Sequence, residues 1–125
     1  MIIFFGVKIM ANMCNNWVEI SGDEKQVKQF IELVGKEFDF NKVIPTETDT
    51  RGEANEKWGC SSIAFDLEFD DLGNGYANWY FWTKWNPPRK IYQALREKFS
   101  DVFISWRYEE PGMGLYGYLQ NDEDV

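Results

Sequence analysis

The sequence predicts an α+β domain in which an antiparallel sheet carries two helices on one side, and three observations point to it. Several stretches alternate apolar and polar residues, as in "AFDLEFDD" at 64–71, which is the pattern of strands with one buried face. Two others, "SGDEKQVKQFIELVG" and "NPPRKIYQALREKF", repeat apolar residues at the spacing of one helical face. The chain has 125 residues, 44% of them hydrophobic and 18% aromatic, which suffices for one domain with a real core.

Taken in order, "NNWVEISG" is a short strand over Asn16 to Ile20, with Val18 and Ile20 on one face and Trp17 and Glu19 on the other. Ser21 stops it, and Ser21 with Glu24 three residues later reads as a capping box for a helix whose Val27, Phe30, Ile31 and Val34 share a face until Gly35. From Phe38 to Ser62 the chain is polar and broken by Pro45, Gly52 and Gly59, so a long loop is expected, with Trp58 folding back onto the body. Ile63 to Asp70 is the second strand. The Asn-Gly pair of "DLGNG" suits a tight hairpin turn, with Asp71 at the turn, and "YANWYFWTKW" returns as the third strand. Asn86 and the following prolines open the second helix, which buries Ile91, Leu95 and Phe99 and ends near Ser100. "DVFISWRYEE" is the fourth strand, with Val102, Ile104 and Trp106 opposed to Phe103, Ser105 and Arg107. "PGMG" turns the chain, and "LYGYLQ" pairs back as a fifth strand before "NDEDV". This order is the split βαββαβ arrangement of the ferredoxin-like fold, with the second strand at one sheet edge and the added hairpin strand beyond the fourth. Residues 10–120 form the expected single domain, 121–125 an acidic tail and 1–9 an N-terminal extension. Met10 is a second possible start, so 1–9 is either an upstream extension or an extra strand, and both remain open.

Charge and composition exclude several functions. Thirteen Lys and Arg against twenty-one Asp and Glu leave a net charge of −8, which repels a phosphate backbone, so duplex DNA is not an expected partner and a basic protein is. Histidine is absent, and Cys14 and Cys60 are the two cysteines, without CxxC spacing. No zinc site, redox motif, metal or cofactor is therefore expected. The apolar run of "MIIFFGVKI" is too short to span a bilayer and lacks a signal-peptide cleavage site, which predicts a cytoplasmic protein with no membrane partner. No Gly-rich phosphate loop or nucleophile elbow is present, and the adjacent Glu109 and Glu110 point to opposite faces of a strand. No catalytic residue is assigned, and a non-enzymatic protein is expected.

Four stretches, "MANMCNNWVEISGDEKQVKQF", "FDFNKVIP", "TKWNPP" and "SWRYEEPGMG", together resemble the ferredoxin-like family typified by the plasmid protein YubB and its phage relatives. The resemblance runs from Met10 to Leu119 and departs from the family pattern after "KWG", where "CSSIAF" follows. It implies a small protein of a phage, plasmid or other mobile element, and carries over no catalytic residues.

The candidate partner-binding residues are the acidic Asp66, Glu68, Asp70 and Asp71, with Trp17, Tyr80, Trp82 and Arg107. If the helices cover Phe65, Leu67 and Phe69, the alternating carboxylates lie on the open face about 6–7 Å apart, a spacing that can imitate successive phosphates. The functional expectation is a decoy for a basic, nucleic-acid-binding host protein, in its sharpest form a host defence nuclease inhibited in the manner of an anti-CRISPR protein. Edge protection is the plainer account of the same carboxylates. A divalent cation fits them less well, because carboxylates on one strand face converge poorly. Trp17, Tyr80 and Trp82 on the central strands also suit stacking of single-stranded nucleic acid, although few cations accompany them. A weak homodimer and an uncharacterised interaction domain are the remaining expectations.

Overall fold

The computed structural model describes residues 13–47 and 51–120. The expected extension over 1–9 and the tail over 121–125 lie outside them. The elements in chain order are β1 (Met13–Ser21), α1 (Glu24–Val34), α2 (Phe40–Val43), α3 (Arg51–Trp58), β2 (Phe65–Gly73), β3 (Tyr76–Lys84), α4 (Arg89–Lys98), β4 (Phe103–Glu110) and β5 (Leu115–Tyr118). The strands form one five-stranded sheet in the order β2-β3-β1-β4-β5, antiparallel at every seam. This is the ferredoxin-like fold with a fifth strand added at the β4 edge.

Both long helices bury one side against one face of the sheet. Val27, Phe30 and Val34 of α1 and Ile91, Tyr92 and Leu95 of α4 meet Val18, Ile20, Trp79, Phe81, Ile104 and Trp106 in a single core. Phe38 stands at its centre, with its ring 5.1 Å from both Trp79 and Phe81 and 5.5 Å from Trp106. Its backbone is left-handed (φ 50°), a conformation that costs a side-chain-bearing residue about 1–3 kcal/mol and persists because the packing around the ring dictates it.

Several local expectations are corrected. Asp23, not Ser21, caps α1, accepting the N–H groups of Lys25 (3.1 Å) and Gln26 (3.2 Å), because Ser21 is still in β1 between Tyr76 and Phe103. The stretch 38–62 is not a bare loop, since α2 and α3 lie within it. Ala54 and Trp58, one helical turn apart, anchor α3 to the core, and the Trp58 indole N–H donates to the Ile44 carbonyl at 2.8 Å. Asn86 does not cap α4. The helix starts after Pro88, and the Asn86 carbonyl instead accepts the Thr83 hydroxyl at 2.8 Å.

Asp71 is not at the hairpin turn but inside β2, paired with Ala77, and the turn is Asn74–Gly75, both with positive φ as a two-residue hairpin requires. A Cβ on Gly75 would overlap the Gly22 carbonyl, so this position needs glycine for both its backbone and its contact. The largest correction lies in β2 itself. Phe65 pairs with Trp82 and Glu68 with Tyr80, a register shift that marks a bulge, and Asp66 within it is left-handed (φ 52°). The bulge resets the alternation, so Phe65 shares the face of Trp82, while Leu67 and Phe69 pack on the helix side.

Candidate functional site

An antiparallel sheet needs only one covered face. Among the described residues both long helices pack on one side, and the opposite side presents side chains from all five strands. The registers lay these out in rows. One row runs Glu68–Tyr80–Trp17–Arg107–Tyr118 from edge to edge, and the next runs Phe65–Trp82–Asn15–Glu109–Tyr116. A third holds Asp70, Asn78, Glu19 and Ser105, and the far end holds Tyr76, Ser21 and Phe103.

Trp17 is the centre of this surface. The Arg107 guanidinium lies 3.7 Å from its ring centroid, and the Tyr80 ring lies 5.3 Å away on the other neighbouring strand. A cation over an indole at a partly exposed site contributes about 0.5–1 kcal/mol. Arg107 is also held by Glu109 at 3.3 Å, an exposed pair that orients the guanidinium more than it stabilises the fold. The Tyr80 hydroxyl donates to Asn15 Oδ1. Burial, and then the Glu68 and Glu109 carboxylates, push its pKa up, so it remains a donor. The result is an aromatic surface held in place by its own polar contacts.

The acidic stretch divides three ways. Glu68 and Asp70 lie on the open face, opposite Tyr80 and Asn78. Asp66 sits in the bulge at the β2 edge, the position expected of an edge-guarding charge. Asp71 looks to the helix side, where it lines a groove of about 370 Å³ with Glu24, Val27, Ile31 and Glu32. The expected run of three evenly spaced carboxylates is therefore reduced to two by the bulge. Trp17, Tyr80, Trp82 and Arg107 all come together as expected. Glu19, Glu109, Phe65, Phe103, Tyr116 and Tyr118 also belong to the surface. For Glu19 and Phe103 the signal was the same alternation that placed Trp17 and Arg107, whereas Phe65 was hidden by the bulge. Together the face carries the carboxylates of Glu19, Glu68, Asp70 and Glu109 against the cations Lys84 and Arg107.

Glu109 and Glu110 lie on opposite faces. Glu110 is fully buried, and its Oε1 accepts the Met113 N–H at 2.7 Å, which fastens the Pro111–Gly114 turn. On the same covered side, Asn16 donates to the Cys14 carbonyl (3.2 Å) and Thr83 Oγ1 (3.1 Å) and accepts the Trp106 indole N–H (3.0 Å). Cys14 and Cys60 are free thiols whose pKa burial pushes up to about 12. Among the described residues no group of three His, Cys, Asp or Glu could hold a metal ion, and no helix is long and apolar enough to cross a membrane.

No curated protein matches the chain. The crystal structure of a protein api92 from Yersinia pseudotuberculosis resembles it with a TM-score of 0.55 and 20% sequence identity, over 64% of this chain and 34% of that one. The chain thus matches about a third of that protein's length, and the likeness is one of fold. Residues 63–124, from the approach to β2 onward, match the family described as the ferredoxin-like domain in Api92-like protein, the same fold that the sheet order and helix placement display.

Proposed function

We propose that this chain is a non-enzymatic acidic interaction protein that binds a basic protein through the face of its sheet that no described helix covers. The observation that carries the reading is the row Glu68–Tyr80–Trp17–Arg107–Tyr118. Tyr, Trp and Arg are the side chains on which protein interfaces concentrate binding energy, and surrounding carboxylates select for positive charge. A net charge of −8 adds long-range attraction for such a partner.

The finer form of the proposal is a partner that ordinarily grips nucleic acid, with Glu19, Glu68 and Asp70 taking the place of phosphates. A resemblance to the phage and plasmid family typified by YubB, in "MANMCNNWVEISGDEKQVKQF" and "SWRYEEPGMG", is what suggests a mobile-element protein acting in the bacterial cytoplasm. Inhibition of a host defence nuclease, in the manner of an anti-CRISPR protein, is its sharpest form. Single-stranded nucleic acid is a second reading, favoured by the Trp17–Tyr80 contact. The four carboxylates on the face weigh against it.

The test is capture from bacterial lysate on the immobilised protein, with the captured protein then purified and titrated. Recovery of a basic nucleic-acid-binding protein is expected, with an affinity that falls as salt rises. Trp17→Ala should weaken it, as should Glu68→Gln with Asp70→Asn. Adding Asp66→Asn should change little more, since that carboxylate guards the edge. The reading fails if the open-face variants bind as the native chain does. Quenching of tryptophan fluorescence by short single-stranded RNA or DNA, lost in Trp82→Ala or Tyr80→Ala, would establish the second reading instead.

A further inference from the structure

Three of the six tryptophans, Trp58, Trp79 and Trp106, fill the core, and Trp17 and Trp82 belong to the open face. Trp85 belongs to neither. It is half-buried, stands outside the core cluster and makes no ring contact with another described aromatic. Its backbone is left-handed (φ 74°), and the Asn86 N–H donates to the Lys84 carbonyl at 2.9 Å across it. That is a γ-turn of the rare, strained kind. At Phe38 a ring seated in the core dictates such a backbone, whereas no core contact of the Trp85 side chain offsets its strain. Strain of that kind points to a role other than folding.

Trp85 lines a pocket of about 300 Å³ with Asn55, Ser61, Asn86 and Met113, and none of these five residues bears a charge. Hydrogen bonds fix its walls. Asn55 Nδ2 donates to Ser61 Oγ at 3.0 Å, and the Ser61 N–H donates to the Lys84 carbonyl at 3.3 Å. The Thr83 hydroxyl holds the Asn86 carbonyl at 2.8 Å, and the buried Glu110 carboxylate holds the Met113 N–H at 2.7 Å. These bonds leave Asn55 Oδ1, the Ser61 hydroxyl proton and the Asn86 carboxamide as the polar groups of the pocket. It is pre-formed, apolar at Trp85 and Met113, and supplied with both donors and acceptors.

We propose that this pocket binds an uncharged purine nucleoside, its base stacked on the Trp85 indole and its polar edge met by the Asn86 carboxamide. The ligand is neutral, because no described lining residue offers an opposite charge and the net charge of −8 opposes an anion. It is flat, because a planar π-system makes the fullest use of an exposed indole. It carries a donor beside an acceptor, because a carboxamide presents both, as in the pairing by which Asn reads N6 and N7 of adenine. Small-molecule sites span about 300–1,000 Å³, and this pocket at the lower end has room for one base with its sugar. The same negative charge disfavours the phosphates of a nucleotide or a strand. The site shares no residue with the open-face row, so it stands or falls apart from the binding of a basic partner.

The experiment is isothermal titration calorimetry of the full chain with adenosine, adenosine monophosphate, a short oligoadenylate and glucose. Saturable one-to-one binding of adenosine is expected, with the two phosphate-bearing probes weaker and glucose silent. Trp85→Gly and Asn86→Ala should each weaken adenosine about tenfold or more, the loss that goes with one base–aromatic stack or one paired base edge. Because glycine accepts the left-handed backbone, Trp85→Gly should melt no lower than the native chain. Trp17→Ala, on the open face, should leave the titration unchanged. Absence of adenosine binding, binding that survives either pocket variant, or tighter binding of the monophosphate, the oligoadenylate or glucose overturns the proposal. So does a large fall in the melting temperature of Trp85→Gly, which would make Trp85 a structural residue, or loss of binding in Trp17→Ala, which would move the site to the open face.

Discussion

Asn15 and Asn16 are neighbours on β1 that point to opposite faces, and replacing each by alanine separates the two sides of the sheet energetically. Asn16 is fully buried and makes three hydrogen bonds, to the Cys14 carbonyl, Thr83 Oγ1 and the Trp106 indole N–H. In Asn16→Ala the Trp106 N–H is left without an acceptor in a dry core, which costs about 1–3 kcal/mol. Thr83 keeps its bond to the Asn86 carbonyl, so its hydroxyl adds little. The vacated amide volume adds about 1 kcal/mol more, for a total near 3 kcal/mol. Asn15 is half-buried on the open face, where water can replace it as acceptor for the Tyr80 hydroxyl, so Asn15→Ala should cost less than about 1 kcal/mol. The assay is urea unfolding followed by far-ultraviolet circular dichroism. With a slope near 2 kcal/mol/M, the midpoint should fall by about 1.5 M for Asn16→Ala and by less than about 0.5 M for Asn15→Ala. Equal shifts, or a smaller one at Asn16, would refute the assignment of faces and of the buried network.

Cys14 and Cys60 should resist alkylation by maleimide in the folded protein at mildly alkaline pH and react on unfolding, because burial keeps them as thiols. Their folded pKa values are raised, so the stability they contribute is complete below the ordinary value of 9.0 and is lost as pH rises toward about 12; alkaline melts should register the decline over that window. Gly75→Ala should destabilise by roughly 2–4 kcal/mol, since it forces a side chain into left-handed backbone and against the Gly22 carbonyl. Thermal melting checks it, with Asn74→Gly as the near-neutral comparison.

The order of the strands and of the two long helices, and with it the sheet order, was legible because β1, β3 and β4 each keep one apolar face and each long helix one apolar stripe. Trp17, Tyr80, Trp82 and Arg107 fall together because their strands are regular and in register. Phe65 and Asp66 were misplaced because alternation carries no mark of an inserted residue, and Asp tolerates the left-handed conformation the bulge uses. Helix α3 was missed because Ala54 and Trp58 are its only fully buried positions among those described, a repeat too sparse to stand out in a polar stretch. Asp23 was passed over as a cap because Ser21 and Glu24 offered a familiar pairing two residues earlier, and only the strand register shows Ser21 already engaged.

Phe38 poses a different kind of constraint. Its left-handed backbone asks for glycine, while the space between Trp79, Phe81 and Trp106 asks for a large ring. Glycine would relieve the backbone and empty the middle of the core, and any other aromatic would keep the volume and the strain. No single replacement meets both demands, so selection acting on this position has no uphill step available. Variation among related chains should therefore flow around it, with Phe30 and Phe40, which each meet its ring, changing while position 38 holds still.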